Sequence, residues 1–107
     1  MCSSDLAKHG TGGLMKVMAL ELAEHGITVN SVAPGEIATK MTGNEDVDPQ
    51  TEPREGIPLR RPGDANEIGA AAAFLCSPEA SYITGETLVV DGGMHLMAAI
   101  ANQRLNE

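Results

Sequence analysis

The chain has 107 residues, a net charge of −8 and 42 % apolar residues. That length suits one small domain and not two, and that apolar content is globular rather than disordered. The acidic balance would repel a phosphate backbone, and no apolar run approaches the roughly 18 residues of a membrane span, so neither a nucleic-acid nor a membrane partner is expected.

Residues 1–6 (Met-Cys-Ser-Ser-Asp-Leu) fit no element. Read back into codons, Cys2–Leu6 matches a common sequencing-library adapter, so a non-native start is expected there, with a frayed natural terminus as the alternative. From Thr11 to about His25 the pattern is helical. Leu14, Val17, Met18 and Leu22 recur at i, i+3, i+4 and i+8, with Met15, Ala19 and Ala23 as a second apolar row. An arc this wide predicts burial on two sides. His25 and Gly26 end the helix, with a cation near its carbonyl end and a glycine at the exit.

Ile27–Ala33 then reads as a buried strand, rich in β-branched residues and stopped by a Pro34-Gly35 turn. Residues 41–62 form a long irregular region carrying four of the six prolines, the length of a functional lid or a mobile insertion. Asp64 and Glu67 have the spacing of a capping box. Ile68, Ala71, Ala72 and Leu75 make the expected inward stripe of a helix running to about Cys76. Pro78 opens a single turn over Glu79–Tyr82. Gly85 is a turn, and Thr87–Val90 is a short apolar strand ended by Asp91-Gly92-Gly93. Residues 94–107 form a tail.

The order is helix, strand, loop, helix, strand, tail. Such alternation predicts an α/β fold with a parallel sheet and flanking helices. Only two strands can be counted, where a doubly wound sheet needs about six. The chain is therefore expected to be an incomplete α/β domain. The expected division is 1–6, 7–93 and a tail at 94–107. In open α/β sheets ligands sit just beyond the carboxyl ends of strands, which directs attention to residues 34–39.

These residues resemble the short-chain dehydrogenase/reductase family. Leu20–Gly35 resembles its active-site helix running into its sixth strand. Pro34-Gly35-Glu36-Ile37-Ala38-Thr39 is similar to its Pro-Gly-x-Ile-x-Thr segment. Ile57-Pro58-Leu59-Arg60-Arg61, followed by Gly63, Glu67 and Ile68, resembles the approach to its next helix. Tyr82-Ile83-Thr84-Gly85 and Leu88-Val89-Val90-Asp91-Gly92-Gly93 resemble its closing segments. The resemblance covers residues 7–93 and implies an α/β fold that is the C-terminal part of a Rossmann-type doubly wound parallel sheet, an incomplete domain.

It implies an NAD- or NADP-dependent oxidoreductase interconverting an alcohol and a carbonyl on a small-molecule substrate. It also implies a homo-oligomer, tetrameric in the family, that uses the helix at 11–25 and the last helix and strand as contacts. The family's Gly-rich phosphate loop would lie upstream, and no such loop joins a strand to a helix here. Lys8 matches the lysine of the family's Tyr-x-x-x-Lys motif, which places Ser4 where the tyrosine proton donor would stand. Lys8 would lower that tyrosine's pKa and bind the nicotinamide ribose. Without the tyrosine it has no acid to tune, so turnover by this chain alone is not expected. Pro34, Gly35, Ile37 and Thr39 match the segment that holds the nicotinamide carboxamide. The alternative function is a non-catalytic remnant that keeps only the association surface.

Other residues carry less. Tyr82 is expected to pack by its ring with the hydroxyl at the surface, not to act as the acid. Asn44, Asp46, Asp48 and Glu55 mimic a calcium loop, but Pro49 stands where glycine is required, so a solvated acidic loop is expected. The three histidines have no ligand spacing, and no metal is expected. Cys76 is expected to be a small buried apolar group. Two distant cysteines and the absence of an export signal predict a reducing cytoplasm.

Overall fold

The computed structural model describes residues 3–38 and 53–97, with the side chains of residues 3–6 and 8 left out. The chain divides into two compact units, Met1–Val32 with Ala71–Leu88, and Ala33–Ala70 with Val89–Glu107.

In the first unit, α1 covers Ser3–Leu22 and tightens into a 3-10 turn over Ala23–His25. The helix thus begins well before Thr11 and takes in Ser3–Leu6, which the sequence had left unplaced. No proline interrupts the segment, Ser and Asp suit a helix start, and Thr11 Oγ1 donates to the Ala7 carbonyl at 2.9 Å. Gly26 closes the helix in the left-handed region (φ 73°), its N–H donating to the Ala23 carbonyl at 3.0 Å. Of the two apolar rows, Met15 and Ala19 are buried, whereas Leu14, Val17 and Met18 are exposed. The expected two-sided burial is therefore one-sided in this structure. Ala19 lies beneath the Gly85 turn, where an added Cβ would stand 3.7 Å from the alanine methyl.

Strand β1 (Ser31–Pro34) pairs with β4 (Thr87–Val90). The pairing is parallel, because partners rise together along both chains: Gly85 N–H to Val29 carbonyl, Ser31 N–H to Glu86 carbonyl, Gly35 N–H to Val90 carbonyl. Odd residues of β1 turn their backbone groups to β4. Pro34, an even residue, lacks its N–H on the opposite side and costs this ladder nothing. The strand starts later than Ile27 because side chains take over its first rungs. Val29 N–H donates to Thr84 Oγ1 at 3.1 Å, and the Asn30 side chain bonds the Ile83 carbonyl and the Glu86 N–H.

In the second unit, β2 (Ile37–Ala38) pairs in parallel with β3 (Gly63–Asp64). This two-residue pair was not visible in the sequence, being too short to show a period. Ile57 and Pro62 are buried in the segment that leads to it. Helix α2 (Ala65–Leu75) follows, with Asp64 capping it: Asp64 Oδ1 accepts from Asn66 N–H, and Glu67 Oε1 accepts from Asp64 N–H. Ile68, Ala71 and Leu75 are half-buried as the stripe predicts, but Ala72 is exposed. Cys76 is exposed as well, not buried. In the first unit, a 3-10 turn covers Pro78–Ala80, with Pro78 at its start as expected but ending before Tyr82. Tyr82 is fully exposed, so its ring does not pack against the chain.

Candidate functional site

The site is built where β1 and β4 end. Gly35 backs directly onto Asp91: a Cβ at Gly35 would fall 2.6 Å from Asp91 Cβ and 2.9 Å from Asp91 Cα. Only glycine permits that approach. Beyond it the chain turns from β4 to β3, where the Glu36 carbonyl accepts from Gly63 N–H at 2.8 Å. The 36–37 peptide is trans, so the Ile37 N–H points the other way, off the β3 pairing. It is a donor aimed off the ladder at the exit of a strand.

Beside this peptide lies a cavity of about 220 Å³, lined by Ile37, Leu59, Ile68 and Val89 and by the polar side chains of Glu36, Arg61, Glu67, Asp91 and His95. The charges are arranged in pairs. Arg54 Nε donates to Glu36 Oε1 at 2.7 Å. Arg61 grips Glu67 with two parallel bonds, at 2.8 and 2.9 Å. That grip and the Asp64 N–H hold the Glu67 carboxyl down to about 2, and the hydrogen bonds to Glu67 push the Arg61 guanidinium up. Burial works against the charged form of Asp91, but hydrogen bonds from the His95 ring and from the Gly93 and His95 N–H groups hold its carboxyl below the usual range.

A depressed carboxyl makes stability depend on pH in a set direction. Glu67 contributes in full above its ordinary 4.5, and that contribution is lost as pH falls toward about 2. Denaturant unfolding between pH 2 and 6 should therefore show stability falling with acid in this window. Glu67→Gln should flatten the slope there, and an unchanged slope would contradict the Arg61–Glu67 account.

Of the residues singled out in the sequence, Gly35 and Ile37 are brought together at this exit, Pro34 is exposed beside them, and Thr39 lies outside the described residues. Lys8 and Ser4 lie in α1, and their side chains are outside what is described. The calcium-like run at 44–52 also falls outside the described residues, and Glu55 is exposed. Among the described residues no group of three metal-ligating side chains converges. Sequence reasoning missed Arg54, Arg61 and His95. The i, i+4 spacing of Asp91 and His95 was the one local signal available. Arg54 and Arg61 meet their carboxylates through turns that have no sequence period.

The family model described as Enoyl-(Acyl carrier protein) reductase matches residues 3–95. The chain is 51 % identical over 100 residues to the uncharacterized oxidoreductase YohF of Escherichia coli K12, covering 94 % of this chain and 38 % of that protein. It is 52 % identical over 91 residues to the 3-oxoacyl-[acyl-carrier-protein] reductase FabG of Vibrio cholerae, covering 85 % of this chain and 37 % of that one. Among solved structures, the acetoin dehydrogenase YohF of Salmonella typhimurium superposes with a TM-score of 0.71 at 54 % identity, covering 85 % of this chain and 34 % of that one. The chain thus spans well under half the length of the curated relatives it matches.

Proposed function

We propose, from the premise that this chain belongs to the short-chain dehydrogenase/reductase family, that the β1 exit at Pro34–Thr39 is the carboxamide side of a nicotinamide site. The activity served is NAD- or NADP-dependent interconversion of a small-molecule alcohol and a carbonyl. The observation that carries this is the Ile37 N–H, turned off the β3 ladder by the Glu36–Gly63 bond. A primary amide needs a donor for its oxygen, and a backbone N–H at a strand exit supplies one without reorganisation. Gly35 lets the chain pass close under the site; Thr39, the further hydroxyl donor that the family resemblance implies, lies outside the described residues. These residues fit the group.

When bound, the nicotinamide supplies or accepts the hydride. This chain's own residues bind and orient its carboxamide. Lys8 is the cation of the family's Tyr-x-x-x-Lys pair, and Ser4 stands at the tyrosine position. A serine hydroxyl cannot be tuned into the proton donor that carbonyl reduction requires, so the chain alone orients cofactor without turnover. The names of the relatives span acyl carrier protein substrates and acetoin, and the shared chemistry is ketone and secondary alcohol.

A second reading rests on a separate observation. Leu14, Val17 and Met18 on α1 are 61 %, 50 % and 41 % exposed. An apolar stripe of this kind favours association of chains, with the α1 face as the contact and no cofactor bound. Titrating NADH and NADPH fluorescence with the chain tests the first reading against the second. A saturable enhancement is the expected result. A flat response, with the chain sedimenting as a dimer or larger, would overturn the cofactor reading and favour association.

A further inference from the structure

We propose that Arg61 is a positioning residue for the Ile37 N–H, acting through two peptide groups, and that Glu67 holds Arg61 in place for it. The inference rests on the reading of that N–H as the donor to a nicotinamide amide. Neither side chain has to touch the cofactor.

The path is a row of hydrogen bonds. Arg61 Nη1 donates to the Pro62 carbonyl at 3.1 Å. That carbonyl belongs to the same peptide as the Gly63 N–H, which donates to the Glu36 carbonyl at 2.8 Å. The Glu36 carbonyl in turn shares its peptide with the Ile37 N–H. Both peptides are trans, so each takes a bond on one side and presents its N–H on the other. Bonds in such a row polarise one another, and a cationic donor at its head strengthens the N–H at its end. The same row fixes the direction in which the Ile37 N–H points.

Glu67 keeps the head of the row in register. Its two oxygens accept from Arg61 Nη1 and Nη2 at 2.8 and 2.9 Å, so the planar guanidinium is held in direction as well as distance. Glu67 Oε1 also accepts from the Asp64 N–H at 3.0 Å. The pair therefore ties down the peptides on both sides of Gly63. Gly63 and Asp64 are the residues of β3 that pair with Ile37 and Ala38. The fit there is close, since a Cβ at Gly63 would stand 2.8 Å from Ile37 Cδ1. The Arg61 side chain is only 22 % exposed, which limits the water that could compete for its donors.

Amide spectra of the ¹⁵N-labelled chain, first without ligand and then with oxidised nicotinamide mononucleotide, test this. In Arg61→Met, which keeps an unbranched stem and removes the donors, the Gly63 and Ile37 amide signals should both move. The Val29 and Gly85 amides, which lie off the row, should stay. Affinity for the mononucleotide should fall about fivefold, the loss of roughly one hydrogen bond. Arg61→Lys restores a donor for the Pro62 carbonyl and should recover part of both effects. Glu67→Gln is the milder change, leaving Arg61 one oxygen in place of two, and should move the same two amides by less. Gly63 and Ile37 amides that stay still in both Arg61→Met and Glu67→Gln would overturn the proposal. So would shifts as large at Val29 and Gly85, or an affinity that Arg61→Met leaves unchanged. A flat titration of the unaltered chain would overturn the nicotinamide reading instead, because the ligand-free shifts decide by themselves whether Arg61 sets the Ile37 peptide.

Discussion

Replacing Gly35 by valine is expected to cost about 3 kcal/mol and to spread the ends of β1 and β4. The obstruction is backbone as well as side chain. A Cβ would lie 2.9 Å from Asp91 Cα and 2.6 Å from Asp91 Cβ, and 3.3 Å from the Met94 methyl. The methyl can swing away, but the Asp91 backbone is held by the Gly35 N–H to Val90 carbonyl bond and by the turn that follows it. Denaturant midpoints by circular dichroism measure the loss. Gly10→Ala is the control, because nothing lies within 4 Å of a Cβ there and the residue sits inside α1. That change should stabilise by up to about 1 kcal/mol. A Gly35→Val chain as stable as the unaltered one would refute the close approach.

Asn30→Ala should cost about 2 kcal/mol, the second large effect. The Asn30 amide donates to the Ile83 carbonyl at 3.0 Å and its oxygen accepts from the Glu86 N–H at 3.0 Å. One side chain thus does the work of a ladder rung between the start of β1 and the turn before β4. Alanine leaves a half-buried carbonyl and an N–H without their partner. Asn30→Asp keeps the acceptor and loses the donor, so it should fall between the two. Urea unfolding separates the three chains. Equal midpoints for the alanine and unaltered forms would show that water replaces both bonds at no cost.

The parallel β1–β4 pair was legible because two apolar runs, Ile27–Ala33 and Thr87–Val90, each end at a Pro-Gly or Asp-Gly-Gly stop. The α2 start was legible because Asp64 and Glu67 carry a local rule. Its exact bonding differs by one residue, with Asn66 N–H as the partner of Asp64. The beginning of β1 was misplaced by four residues because Thr84 and Asn30 side chains substitute for backbone pairing, and periodicity does not register that. Burial was legible only in part. Pattern alone gives the apolar rows of α1, but which row is covered depends on what packs there: Met15 and Ala19 are covered and Leu14 is not. Cys76 and Tyr82 were misjudged for the same reason, since composition predicts burial only when the neighbouring element exists to supply it. The cavity's two arginine–carboxylate pairs join residues 6 and 18 apart through turns, beyond any local period.

The nicotinamide site proposed at the exit of β1 holds the amide through the Ile37 N–H. Adding nicotinamide mononucleotide in its oxidised form to the ¹⁵N-labelled chain, at a pH held constant, tests it at the residue itself. The account predicts saturable amide shifts led by Ile37 and shared by Gly35 and Ala38. An Ile37 amide that stays in place up to millimolar ligand, or shifts that gather on α1 instead, would contradict it.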